Sequence, residues 1–146
     1  MITTLKELVE LNDSQEIYEY IKEQIINLYN QLSPCEKIKD NDFKSFIIST
    51  NPFVFVGDNL KIIGILSVIF EKKLIRNGGI VCRIEDFVVD KEYRNKGIGT
   101  KLIEHGINLA KDKNAYKIIL DCSYDLSQYY EKFGFSYKNI QMSIYF

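Results

Sequence analysis

Apolar residues recur at spacings of three and four from Ile17 through Ile21, Ile25 and Leu28 to Leu32. That period places them on one stripe of a helix. Asp13 and Ser14 precede the stripe as caps, and Pro34 in "SPCEK" ends it, because proline cannot continue the hydrogen-bond ladder. A second short helix is predicted from about Asn41, with Phe43, Phe46 and Ile47 inward. The texture then changes. "PFVFVGDNLKIIGILSVIFEKKLI" is β-branched and aromatic, with "GDN" as a turn between two strands. "RNGG" is a second turn signal and "IVCRIEDFVVD" a third strand, so the middle of the chain reads as an antiparallel meander.

Helical spacing returns after "RNKGIG" with Leu102, Ile103, Ile107 and Ala110. "AYKIIL" reads as a short, fully apolar strand of the kind found at a sheet centre. "LSQYYEKFGF" reads as a short helix ended by Gly134, and "IQMSIYF" as a last strand. Helices, three strands, helix, strand, helix, strand make a mixed α/β sheet with packed helices. The 146 residues fit one domain spanning 1–146.

Charge narrows the partners. Nineteen basic and 20 acidic residues give a formal net charge of −1. This argues against a general nucleic-acid or membrane-surface binder, since both need a surplus of positive charge, and leaves room for a local basic pocket for a small anion. The acidic start "MITTLKELVELNDSQ" does not fit a signal peptide, and no apolar run nears the roughly 20 residues of a membrane span. Cys35, Cys82 and Cys122 are widely spaced and odd in number, and His105 is the one histidine. That pattern predicts no metal and a reducing, cytoplasmic setting.

The chemistry concentrates at "RNKGIG". A strand, a glycine-rich turn and a helix make an anion site in several unrelated folds. The first helical N–H groups lack intrahelical partners, and the helix dipole is positive there. The dinucleotide fingerprint fails, because its third glycine falls at Leu102, and no G-K-[ST] of a P-loop is present. By residue types alone, the turn is equally well a phosphate cradle or an ordinary helix cap.

The flanking residues carry a resemblance. "YRNKGIGTKLI", with Arg94, Gly97 and Gly99, matches the R/Q-x-x-G-x-G/A signature of the GCN5-related N-acetyltransferase superfamily, and "YYEKFGF" resembles a later segment of it. "IED", "YKIILDC" and "YEKFGF" are more specific still: residues 71 to 146 resemble the glucosamine-6-phosphate N-acetyltransferase family. The resemblance implies a mixed, mostly antiparallel sheet splayed between strands 4 and 5 and flanked by helices. It implies acetyl-CoA as cosubstrate, an amino-sugar phosphate as acceptor, a place in UDP-N-acetylglucosamine biosynthesis, and a homodimer whose C-terminal strands help build the partner's site.

The resemblance also assigns roles. Backbone N–H groups of Phe87, Val88 and Val89 would face the thioester carbonyl and stabilise the oxyanion. Those of Arg94, Asn95, Lys96, Gly97, Ile98, Gly99 and Thr100 would meet the pyrophosphate. Asp121 would orient the amine and accept its proton, Glu85 would assist from the substrate site with Asp86, and Tyr130 would donate to the leaving thiolate. Ser33, Lys73, Arg76, Tyr116 and Lys117 would hold the sugar phosphate. Taken singly, Glu85 reads equally as a surface strand residue, Asp121 as a turn cap, Tyr130 as core and "EKKLIR" as a solvated strand end. Three positions depart from the family: Tyr145 replaces an arginine, Leu126 an asparagine, and Arg83 a histidine or valine. Another amine as acceptor, or a coenzyme A-binding module without catalysis, stays open at this stage. His105, inside the helix after the turn, reads as a packing or surface residue.

Overall fold

The computed structural model describes residues 1–146, and its β-type middle forms the spine of a five-stranded sheet in the order β1-β2-β3-β4-β5. The strands are β1 (Ile2–Thr4), β2 (Phe53–Val56), β3 (Ile62–Lys72), β4 (Ile80–Val89) and β5 (Ala115–Ile119). The first four run antiparallel to their neighbours, and β4 and β5 are parallel. The expected meander is β2–β3–β4. Its first turn is a short 3-10 segment at Asp58–Leu60, with Asn59 left-handed. Its second is the one-turn element α4 (Ile75–Gly78), where Arg76 and Asn77 are left-handed at φ 57° and 55°. A parallel pair needs a long crossover, and α5 (Ile98–Asp112) provides it.

Alternation sends the strands' side chains to two faces, and each face has its own core. On one lie α1 (Leu5–Glu10), α2 (Gln15–Tyr29) and α3 (Asp40–Ser49), whose Leu5, Ile21, Ile25, Leu28 and Phe43 pack on Val54, Ile65 and Val88. On the other lie α5 and α6 (Ser127–Glu131), whose Leu102, Ile103 and Tyr130 pack on Ile63, Leu66 and Ile84. Each fully buried Leu or Ile contributes about 1.5–3 kcal/mol. Ser14 caps α2 by accepting from the Ile17 N–H at 3.1 Å.

Three sequence expectations change, and the start of the chain adds elements that no expectation covered. Leu32 is not on the buried stripe: α2 stops at Tyr29 and Leu32 is exposed. "AYKIIL" is not central. β5 is an edge strand, with Tyr116 and Lys117 exposed, because nothing pairs beyond it. "IQMSIYF" is not a strand: residues 135–146 hold no regular structure, and Ile140 and Tyr145 are 91% and 93% exposed. A strand needs a ladder, and the tail pairs with neither free edge of the sheet, β1 or β5. Finally, the acidic start forms β1 and α1. Thr4 and Glu7 make a reciprocal capping box there, and the Leu5 N–H donates to the Pro52 carbonyl at 2.8 Å.

Candidate active site

β4 opens the site. Ile65 pairs with Val88 and Ser67 with Glu85, so two steps along β3 meet three along β4. The extra residue is Asp86, held at φ 46°, which makes a bulge. The bulge reverses the alternation: Ile84 packs toward α5, yet so does Phe87, while Val88 joins the opposite core. Pairing to β5 ends at Arg83 opposite Ile119. From Ile84 to Val89 the β5-facing edge of β4 therefore has no strand partner, and its main-chain groups face a cleft in the interior of the sheet. Among Phe87, Val88 and Val89, Phe87 packs on the α5 side of the sheet. Its ring stacks on Tyr129 at 6.4 Å and meets Tyr130 edge-on at 6.5 Å.

The glycine turn lies beside that cleft. Asp90 accepts from the Glu92 N–H at 3.0 Å, and the Arg94 Nε–H donates to the Val89 carbonyl at 3.1 Å, which folds the chain back at the end of β4. Asn95 and Gly97 are left-handed at φ 61° and 76°. α5 then begins at Ile98 with no side-chain cap. Its first bond runs from the Lys101 N–H to the Gly97 carbonyl at 3.1 Å. The N–H groups of Ile98, Gly99 and Thr100 are thus left for an outside acceptor, at the positive end of a 15-residue helix. The Lys96 ammonium stands 4.8 Å from the Tyr93 ring. A Cβ on Gly99 would lie 2.8 Å from the Tyr129 Oη and 3.2 Å from Phe87 Cζ. Uncapped amides and an adjacent lysine fit an anionic cofactor arm, while Gly99 leaves room for Tyr129 to pack against the turn.

Charged groups gather at the cleft's mouth. The Arg83 guanidinium lies 3.5 Å from Glu71, 3.4 Å from Glu85 and 3.6 Å from Asp121. Lys73 pairs with Glu71. The hydrogen bond and charge of Lys73, then those of Arg83, hold Glu71 below the usual carboxylate range. Arg83, Asp121, Cys122, Ser127 and Tyr130 share the lining of a cavity of about 510 Å³. Tyr130 is buried against Phe135, with ring centroids 6.0 Å apart. Burial, aided by Cys122 and Tyr129, pushes its hydroxyl up to about 12. It therefore stays protonated across the neutral range and is available as a donor.

Not all the sequence-predicted residues come together. Glu85 and Asp121 meet at Arg83, and Lys73 joins them through Glu71. Arg76 and Lys117 form a second group, each 5.7 Å from the Tyr116 ring. Asp86 forms no ion pair and is exposed on the bulge. Ser33 is exposed beyond the end of α2 and makes no side-chain hydrogen bond to either group. Leu126 is half exposed in the 3-10 turn before α6. His105 packs edge-on against Phe53 at 4.7 Å, away from the cleft. In the sequence Arg83 stands out only as a departure from the family, and Tyr129 and Glu71 carry no signal of their own. The period of two in "RIE" already placed Arg83 and Glu85 on one face; the closeness of Asp121 had no local signal.

The bulged fourth strand, the splayed parallel pair and the uncapped glycine turn together define an acetyltransferase of the open-sheet type. The profile of the acetyltransferase (GNAT) family matches residues 10–135, and the chain belongs to that family. Its members use acetyl-CoA as cosubstrate, a thioester that supplies an activated acetyl group. The chain is 40% identical over 126 residues to the glucosamine 6-phosphate N-acetyltransferase 1 of Dictyostelium discoideum, covering 86% of this chain and 74% of that protein. It is 49% identical over 80 residues to the Arabidopsis thaliana glucosamine 6-phosphate N-acetyltransferase, covering 55% of this chain and 54% of that protein. The crystal structure of glucosamine-6-phosphate N-acetyltransferase from Arabidopsis thaliana superposes with a TM-score of 0.81 at 34% identity, over 100% of this chain and 97% of that one. No helix is long and apolar enough to cross a membrane, and no group of three or more His, Cys, Asp or Glu side chains is arranged to hold a metal ion.

Proposed function

We propose that residues 1–146 form a single domain that transfers the acetyl group of acetyl-CoA to the amine of glucosamine 6-phosphate, a step toward UDP-N-acetylglucosamine. The observation that carries this reading is the shared cavity at the end of the β4–β5 pairing. It sets a carboxylate, Asp121, and a protonated phenol, Tyr130, on the same opening. An amine attacking a thioester needs a group to take its proton and a group to protonate the departing sulfur. Asp121 takes the first role, with Glu85 oriented beside it, and Tyr130 the second. The uncapped amides of Ile98, Gly99 and Thr100, with Lys96, hold the pyrophosphate, and the free edge at Phe87–Val89 holds the thioester arm. Lys73, Arg76 and Lys117 supply cations for the sugar phosphate, and the Tyr116 ring carries two of them.

A thiol-release assay over a panel of amines tests the proposal. Turnover is expected to be greatest with glucosamine 6-phosphate. Greater turnover with another amino sugar, a small amine or a peptide N-terminus would transfer the activity to that acceptor, the reading that Tyr145 in place of the family's arginine favours. Acetyl-CoA binding without release for any amine would leave a coenzyme A-binding module.

Tyr130→Phe keeps the ring and removes the donor. Its kcat is expected to fall roughly 10- to 100-fold, with the KM for acetyl-CoA little changed. An unchanged kcat would remove the thiolate-donor role.

The exposed tail supports a homodimer. Ile140, Met142, Ile144 and Phe146 leave a run of apolar side chains in water. Light scattering is expected to give twice the 17.1 kDa chain mass, and removal of residues 140–146 to give monomers; a monomeric full chain would contradict this. Cys35, Cys82 and Cys122 are all free thiols, which supports a cytoplasmic setting.

A further inference from the structure

Asp121 sits just beyond the last residue pair that ties β5 to the sheet. Pairing stops at Arg83 opposite Ile119, and residues 120–123 hold no regular structure. The Asp121 side chain makes no hydrogen bond, and its one ion pair is to Arg83 Nη1 at 3.6 Å. The same nitrogen lies 3.4 Å from the Glu85 carboxylate, on the first residues of β4 to lose their β5 partner. The Arg83 Nε reaches Glu71 on β3 at 3.5 Å. One guanidinium thus links β3, β4 and the segment just past β5 at the point where β4 and β5 part. Its side chain is 30% exposed and that of Asp121 42%, so a lone pair there would hold little by itself. A guanidinium shared among three carboxylates is different: its spread of donors offsets the charge on three segments at once, more than the compact charge of one ammonium reaches. Without it, Glu71, Glu85 and Asp121 would face one another with Lys73 paired to Glu71 alone.

We propose that Arg83 is a positioning residue for acetyl transfer: it ties Asp121 to Glu85 across the mouth of the cleft and so sets where the proton-accepting carboxylate stands. The inference rests on the acetyltransferase reading above, and it assigns Arg83 no contact with the reacting atoms. If it is right, Arg83 acts through Asp121 and its loss is masked once Asp121 is gone. If Arg83 instead binds an anionic group of the acceptor, its loss is felt only by acceptors that carry one.

The test is a double-mutant cycle on the full chain, with Arg83→Met, Arg83→Lys, Asp121→Asn and the Arg83→Met/Asp121→Asn pair. Each is assayed with glucosamine 6-phosphate and with unphosphorylated glucosamine. Arg83→Met is expected to lower kcat roughly 10- to 100-fold for both acceptors, the scale of a displaced catalytic group. The KM for acetyl-CoA is expected to stay within about twofold, and Arg83→Lys to recover part of the loss. The pair is expected to be no slower than Asp121→Asn alone. Multiplicative losses in the pair, an unchanged kcat, or a loss confined to the phosphorylated acceptor would each overturn the proposal. Arg83→Gln enters the same cycle if Arg83→Met does not fold. Wild-type protein that releases no thiol with any amine would instead overturn the acetyl-transfer reading, and this inference with it.

Discussion

Asp121→Asn is expected to lower kcat roughly 100- to 10,000-fold, the range of a lost general base. That corresponds to about 3–5 kcal/mol of transition-state stabilisation. The substitution is nearly isosteric, so the cavity keeps its shape, and Asp121 is part of neither core cluster. What changes is the capacity to accept a proton, because an amide cannot take one at neutral pH. Acetyl-CoA binding, measured by calorimetry, is expected to stay close to wild type, since Asp121 contacts Arg83 and its cavity is lined by none of the residues of the glycine turn. Two outcomes would count against the role: a kcat within threefold of wild type, or a loss of acetyl-CoA affinity as large as the loss of rate.

Gly99→Val is expected to weaken acetyl-CoA binding by 100-fold or more, roughly 2.7 kcal/mol. A Cβ at this position would stand 2.8 Å from the Tyr129 Oη and 3.2 Å from Phe87 Cζ. Tyr129 cannot readily yield, because its ring is stacked on Phe87 and packed edge-on against Tyr130 and Phe133, at 5.2 Å and 5.3 Å. The displacement would be felt along the route from the turn to the free edge of β4. Gly97→Ala is the matched control. Its Cβ would meet nothing within 4 Å, so the cost is that of a left-handed alanine, about 1–2 kcal/mol. Gly97→Ala is expected to lower the melting temperature with a smaller effect on affinity. Gly99→Val binding acetyl-CoA as tightly as wild type would remove Gly99 from the donor site.

The two glycines illustrate how far local sequence reaches. Both stand in one short motif, yet they are required for different reasons. Gly97 answers a backbone dihedral, which is a local matter. Gly99 answers the approach of Tyr129, thirty positions along the chain. The same division runs through the site. "RIE" placed Arg83 and Glu85 on one face by period alone. That Asp121 would reach the same guanidinium followed from where β5 lies against β4, which no short pattern encodes.

By itself the sequence determined the helical stripes, the meander, the turns at "GDN" and "RNGG", the strand–glycine turn–helix unit and the motifs that carry the family. Each depends on contacts within a few residues of chain, where period, capping and turn chemistry act. Only the tertiary structure decided that β5 is an edge strand, that the acidic start supplies β1, that Asp86 is the bulged residue, and that the apolar tail finds no partner within one chain. Strand order and ladder completion depend on which distant edges remain free once the two cores have closed. The spacing of residues along the chain does not carry that information.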